Sequence, residues 1–302
     1  MLNIIYTMLY LLFLFGSLFS LEDRKRLILI GLDGFSYNYW SKIENKYALP
    51  NFKHFINDGV FSRVQNIYQT KTFPSLISIV TGLYSENHGI YGSHFYDSNK
   101  NIEYNYNITL DAFNGAYLTS IQPIWSLVEN GPINCTMPFR PNDKSIVFEW
   151  LSGTKLRDND IPKHGYPASY YQTYIGGSSF SEKLEKLIKM MQENENITLG
   201  VLYHDQPDYN GHEYGPYTEE VYEKIVSIDK VKGNHGYGPE NKEMNPIFIG
   251  YGGYFRKSFK PDKPIRQIDI YELMCNILGI TPDKNDGDLK YIIHNNAQLI
   301  MT

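Results

Sequence analysis

The sequence predicts an α/β fold, a mostly parallel sheet flanked by helices. Three observations carry this. Short apolar runs alternate along the chain with segments whose apolar residues recur at helical spacing. The first run, Leu27 to Leu32, is continuously apolar and stops at Asp33-Gly34, which reads as a strand buried on both faces of a parallel sheet. The composition, 42% hydrophobic and 20% charged over 302 residues, supplies a real core for one large α/β domain or two smaller ones.

The elements follow in order. After strand Leu27–Leu32, a helix spans Asn51–Asp58 and is stopped by Gly59. Val60–Gln65 reads as the next strand. Pro74–Thr81 reads as a helix, because Pro74 suits a first turn and Leu76, Ile77, Ile79 and Val80 give it a buried side. Ile146–Glu149 is a strand, and Gly165 to Ser179, rich in glycine and tyrosine, an irregular loop. Helix Phe180–Gln192 and strand Ile197–Tyr203 come next. Thr218–Lys230 is a helix with Val221, Ile225 and Ile228 on one face. Strand Ile247–Gly250 and helix Ile268–Leu278 complete the alternation.

The first twenty residues carry no charged side chain, and Glu22-Asp23-Arg24-Lys25 follows them. This reads as a secretory signal peptide over residues 1–20, ahead of a single domain over 24–302. A signal anchor is the alternative, which leaves membrane attachment through this segment open. The expected location is extracellular or at the cell surface. Three glycosylation sequons agree, at Asn107, Asn134 and Asn196. The two cysteines, Cys135 and Cys275, pair or stay free, and do not make a disulfide framework. The formal net charge of −5 argues against a basic face for a nucleic-acid polymer. Most of the 26 tyrosines are expected to fill core and surface.

Chemistry concentrates at a few places. In Thr70-Lys71-Thr72-Phe73-Pro74-Ser75, Thr72 stands at or near a helix start. Free N–H groups and the positive dipole end there suit a phosphate, and a hydroxyl is placed to attack phosphorus. An ordinary capped core helix is the other reading. Asp33 ends a strand, where active sites of open α/β sheets gather, or is simply a turn aspartate. Asp208 and His212, four apart, suit one zinc ion. His235, between glycines 233 and 236, is a ligand or a surface-loop histidine.

These residues carry a resemblance. Leu32-Asp33-Gly34-Phe35, Thr70 to Pro74, Ile79 to Tyr84, His88-Gly89-Ile90, Gln122-Pro123-Ile124-Trp125, Pro207-Asp208 with Gly211-His212, and Gly233 to Tyr237 are specific in combination. From about Leu27 to Asn296, the chain resembles the ecto-nucleotide pyrophosphatase/phosphodiesterases of the alkaline phosphatase superfamily. The resemblance implies an alkaline-phosphatase-like fold and hydrolysis of a nucleotide or other small phosphodiester through a phospho-threonine. It implies Thr72 as nucleophile, Asp208, His212 and His235 as ligands of one zinc, and Asp33 with Thr72 as half of a second zinc site. Tyr174 falls where the family stacks an aromatic on a nucleobase, with Phe73 facing it; a surface tyrosine is the other reading.

Two departures accompany the match. The family's second zinc also takes an Asp-His pair on a strand after a helix. Here the chain passes from Asp229-Lys230-Val231-Lys232 straight to Gly233-Asn234-His235, and no Asp-His dipeptide occurs anywhere. A strand-containing segment is missing, so of the family's two zinc ions one is expected to bind well. At Ser93 the family has an asparagine that holds the phosphate, and serine reaches less far. The expected function is a zinc-dependent nucleotide pyrophosphatase/phosphodiesterase, impaired as written. A choline-phosphodiester or lysophospholipid hydrolase of the same family, and a non-catalytic remnant or incomplete gene model, are the alternatives.

Overall fold

The computed structural model describes residues 25–99, 101–105, 121–132, 142–151, 168–172, 174, 176–229 and 245–295. A four-stranded sheet lies at its centre, ordered β1 (Leu27–Leu32), β7 (Ile197–His204), β5 (Lys144–Phe148), β6 (Tyr170–Gln172), and every pairing in it is parallel. A second sheet joins β8 (Ile247–Tyr251), β2 (Gly59–Gln65) and β9 (Ile265–Arg266). There β2 is antiparallel to β8 and parallel to β9. Strands β3 (His94–Asp97) and β4 (Ile102–Asn105) form a hairpin.

The helices, in chain order, are α1 (Tyr37–Ile43), α2 (Pro50–Asn57), α3 (Thr72–Thr81), α4 (Ser85–His88), α5 (Ile124–Asn130), α6 (Phe180–Glu193), α7 (Asp208–Tyr214), α8 (Glu219–Asp229), α9 (Asp269–Leu278) and α10 (Leu289–Asn295). This is the alkaline-phosphatase-like α/β arrangement that the motifs imply. Every strand and helix read from the sequence is present, with ends within two residues of the expected ones.

Two expectations need correction. Strand β6 lies inside the stretch 165–179 read as an irregular loop. Its three residues, Tyr170-Tyr171-Gln172, are too short a run to show a period. Strand β1 is not buried on both faces. Leu27 and Leu29 pack on the core, but Ile28 and Ile30 are each 38% exposed. The reason is position: among the described strands β1 pairs with β7 alone, at the sheet's edge. The strand buried along its whole length is β7.

Packing fixes α3 against the sheet. Ile77 and Val80 are fully buried with Trp125, Val147, Val201 and Tyr271, and burying one such aliphatic side chain contributes about 1.5–3 kcal/mol. Trp150, just past β5, wedges between β1 and α3, and its indole N–H donates to the Leu76 carbonyl at 3.2 Å. A β-carbon at Gly31 would stand 2.6 Å from that ring, so only glycine lets the wedge seat against β1. From behind, the buried His88 places Nε2 3.1 Å from Ser78 Oγ of α3, while its Nδ1 accepts the Ile90 N–H. Burial pushes the His88 imidazole down to about 4. At α3's far end Gly82 takes φ 70° as a left-handed cap.

Among the described residues no helix is long and apolar enough to cross a membrane. The leader, residues 1–20, lies outside them, as do Asn107, Asn134, Cys135 and His235. Cys275 is a free thiol buried in α9, and burial raises its pKa. Asn196 is exposed in the turn before β7, while Thr198 of the same sequon is buried with Oγ1 3.3 Å from Asp143.

Candidate active site

The parallel strands of the main sheet bring their carboxyl ends to one edge, and the chemistry-bearing residues gather there. Asp33 extends β1 by one residue. Its N–H donates to the His204 carbonyl at 2.9 Å, and its own carbonyl accepts the Asp208 N–H at 3.2 Å. This exchange sets the start of α7 beside the end of β1.

Asp208 is the first residue of α7, where a carboxylate suits the helix dipole. His212 comes one turn later on the same face, with Nε2 3.4 Å from Asp208 Oδ1. The His212 side chain is 71% exposed and turns toward the opening, while Asp208 is 17% exposed behind it.

Thr72 is the first residue of α3, after the cap Lys71. Thr72, Lys71, Asp33, Tyr203 and His212 all line one cavity of about 220 Å³. The sequence-predicted nucleophile and two of the predicted ligands thus line one cavity, and Asp208 contacts one of them, His212. The fifth member of that set, His235, lies outside the described residues.

Tyr203 makes a short polar contact in the site. Its hydroxyl donates to Asp33 Oδ2 at 2.6 Å. Burial, and then the Asp33 carboxylate, push the phenol well above its ordinary value, so it stays a donor. Among the described residues no three His, Cys, Asp or Glu side chains are grouped to hold a metal ion. What they present is a pair, Asp208 with His212, and Asp33 braced by Tyr203. The carboxylate and imidazole chemistry fits zinc, and each set is short of a full one.

The substrate-side candidates Tyr174, Phe73 and Ser93 are not among the residues lining this cavity. Tyr174 is 44% exposed, and its hydroxyl donates to Asp205 Oδ2 at 2.7 Å. Its ring centroid stands 6.3 Å from that of Tyr203. Phe73 is partly buried and packs against the main core. Ser93 is exposed in the bend before β3. Its neighbour Gly92 lies against Lys71, where an added β-carbon would meet the lysine Cδ and Nζ at 3.7 Å.

Sequence reasoning passed over Lys71, Tyr203 and Asp205. Lys71 sits inside the Thr70–Pro74 motif, and a cation at a helix N-terminus is a phosphate signal. Tyr203 and Asp205 gave a weaker one. They end an apolar strand whose carboxyl end was already expected to face the site.

Comparison with known proteins agrees with this geometry. The sequence profile of the type I phosphodiesterase / nucleotide pyrophosphatase family matches residues 27–234. The mouse bis(5'-adenosyl)-triphosphatase is 35% identical over 394 aligned positions, covering 89% of this chain and 81% of that one. Those positions outnumber the 302 residues of this chain, so the mouse protein has internal residues without a counterpart here. The human bis(5'-adenosyl)-triphosphatase is 35% identical over 213 residues, 69% of this chain but only 42% of its own length. In fold, the murine ectonucleotide pyrophosphatase/phosphodiesterase 5, solved as an inactive form in complex with AMP, superposes with a TM-score of 0.75. It does so at 18% identity, over 92% of this chain and 100% of that one. The chain belongs to the type I phosphodiesterase / nucleotide pyrophosphatase family.

Proposed function

We propose that this chain is an extracellular nucleotide pyrophosphatase/phosphodiesterase frame whose catalytic power is impaired by the missing Asp-His segment. The observation that carries the reading is the shared cavity. It puts a hydroxyl on a helix N-terminus, a lysine, a carboxylate and an imidazole around one space sized for a phosphate. The names of the relatives, with an AMP complex among the similar structures, support a nucleotide as substrate.

The residues have distinct roles in this reading. The N-terminal end of α3, with Lys71, binds and orients the phosphoryl oxygens. Thr72 Oγ attacks phosphorus, the bond to the leaving group breaks, and a phospho-threonine forms. Water then attacks the same phosphorus, the bond to Thr72 breaks, and a nucleoside 5′-monophosphate leaves. Asp208 and His212, with His235, would hold one zinc ion, and Asp33 with Thr72 would give half the ligands of a second. When bound, zinc supplies Lewis-acid stabilisation of charge on the phosphoryl oxygens and lowers the pKa of the attacking hydroxyl. Tyr203 keeps the Asp33 carboxylate turned to the cavity. Tyr174 offers its ring to the base. The domain spans 24–302 behind a cleaved or retained leader, with glycans at Asn107, Asn134 and Asn196.

Impairment follows from the donor count. A threonine hydroxyl is a poor nucleophile near neutral pH without activation, and the Asp33–Thr72 set alone is too small for a tight metal site. The test is release of nitrophenol from the nitrophenyl ester of thymidine monophosphate, with zinc supplied. The chain as written is expected to be nearly inactive, and a chain carrying a family Asp-His segment between Lys230 and Gly233 active. Thr72→Ala then abolishes the restored activity. Ready turnover by the 302-residue chain, stopped by Thr72→Ala, would overturn the impairment. A restored chain with no activity on this ester, but with activity on a choline phosphodiester, would overturn the nucleotide reading.

A further inference from the structure

One cluster of buried charge lies outside the donors described so far. Glu149, just past β5, and Lys183, on α6, are 5% and 4% exposed. Lys183 Nζ donates to Glu149 Oε2 at 2.7 Å. The same ammonium donates to the Tyr203 carbonyl at 3.2 Å and stands 3.4 Å from His204 Nδ1. The same Nδ1 lies 3.6 Å from Asp205 Oδ1. The other Glu149 oxygen, Oε1, accepts from Ser178 Oγ at 2.9 Å and from Gln172 Nε2 at 3.3 Å. Its backbone N–H donates to the Gln172 carbonyl at 2.8 Å. Glu149 holds φ 59°, a left-handed conformation that the surrounding contacts must sustain.

This one ion pair ties three pieces of chain together at the carboxyl end of the sheet. Through Gln172 and Ser178 it grips both sides of Tyr174. Through the Tyr203 carbonyl it grips the end of β7, whose hydroxyl braces Asp33 and whose next residue but one, Asp205, receives the Tyr174 hydroxyl. Buried ion pairs are weak sources of net stability, and apolar residues of similar volume often replace them without loss. Such a replacement could fill the space. It could not accept from Ser178 and Gln172 while donating to Tyr203.

We infer that Glu149 and Lys183 are positioning residues for Tyr174, pinning its ring beside the cavity residue Tyr203, where an adenine-type ring would stack. The inference deepens the nucleotide reading and rests on it for the identity of the ligand.

The experiment uses the charge-neutral double variant Glu149→Gln/Lys183→Met, the single Glu149→Gln, and Lys183→Arg as the conservative control. Each is checked for a cooperative melt. Two measurements are made on each: calorimetric affinity for AMP and for ribose 5-phosphate with zinc supplied, and amide exchange of Gln172 and Ser178. Loss of one aromatic stacking contact is worth about tenfold in affinity. The double variant and the single Glu149→Gln should therefore each lose about tenfold for AMP and change little for ribose 5-phosphate. Their exchange at Gln172 and Ser178 should quicken, and Lys183→Arg should stay close to the parent. Equal loss for both ligands, or unchanged exchange, overturns the inference and leaves the pair a structural one. If the parent chain binds ribose 5-phosphate as tightly as AMP, it is the nucleotide reading that fails. The exchange data then still decide whether the pin exists.

Discussion

The two ends of the candidate site are built differently. At the Tyr174 end, the Tyr174 hydroxyl donates to Asp205, and the buried Lys183–Glu149 pair donates through Lys183 to the Tyr203 carbonyl. At the Asp208 end, His212 is 71% exposed and its Nε2 stands 3.4 Å from Asp208 Oδ1. The first end is closed upon itself. The second presents donors outward, in sets that a metal ion would complete. The difference teaches that a frame for substrate can be fully assembled while the reactive set depends on residues from another part of the chain.

The sharpest way to break this comparison is to complete the second end. Inserting an Asp-His segment before Gly233 should raise the rate on the nitrophenyl ester by about a hundredfold or more, the usual worth of one charge-stabilising group. Nothing at the Tyr174 end should need to change. If the inserted segment restores activity only together with substitutions at Glu149 or Lys183, the frame is not preassembled.

A second prediction concerns the support behind α3, which serves both ends. The His88 imidazole falls to about 4 in the fold from an ordinary value near 6.5, chiefly through burial. The folded pKa is depressed, so the stability from neutral His88 is fully present above about pH 6.5 and is lost as pH falls toward 4. The loss amounts to about 3 kcal/mol. Denaturant midpoints across this range should fall for the parent chain, and His88→Asn should remove that part of the slope. An identical slope in the variant would assign the acid sensitivity to other groups.

Much of this molecule was legible in its sequence, and the legible parts share a cause. Leu27–Leu32, Phe180–Glu193 and Asp269–Leu278 are long and strongly periodic or apolar, so local pattern and tertiary burial agree. Asp33, Thr72 and Asp208 stand out because each follows a strand or opens a helix, and His212 because it lies four residues after Asp208. What was hidden depends on partners distant in the chain. Glu149 and Lys183 are an ordinary surface-like acid and base until α6 lies across β5 and β7. The exposure of Ile28 and Ile30 depends on which strands flank β1, and an apolar run cannot tell an edge from a centre.

A smaller effect is expected at the Trp150 wedge, which seats between Gly31 of β1 and Leu76 of α3. Gly31→Ala would drive a β-carbon to 2.6 Å from a rigid indole. Overpacking of this kind typically costs about 1–3 kcal/mol. The melting temperature should drop accordingly, and Gly31→Ala with Trp150→Phe should recover part of it. An unchanged melt would mean that the ring moves aside freely and does not set the height of α3.

The contrast between a complete frame and an incomplete donor set is tested most directly by counting metal. The purified chain, dialysed mildly and analysed for zinc, should retain about one ion, lost in Asp208→Ala and His212→Ala and kept in Asp33→Ala. Two tightly held ions in the parent chain, or one that survives Asp208→Ala but not Asp33→Ala, would contradict this assignment of the two ends.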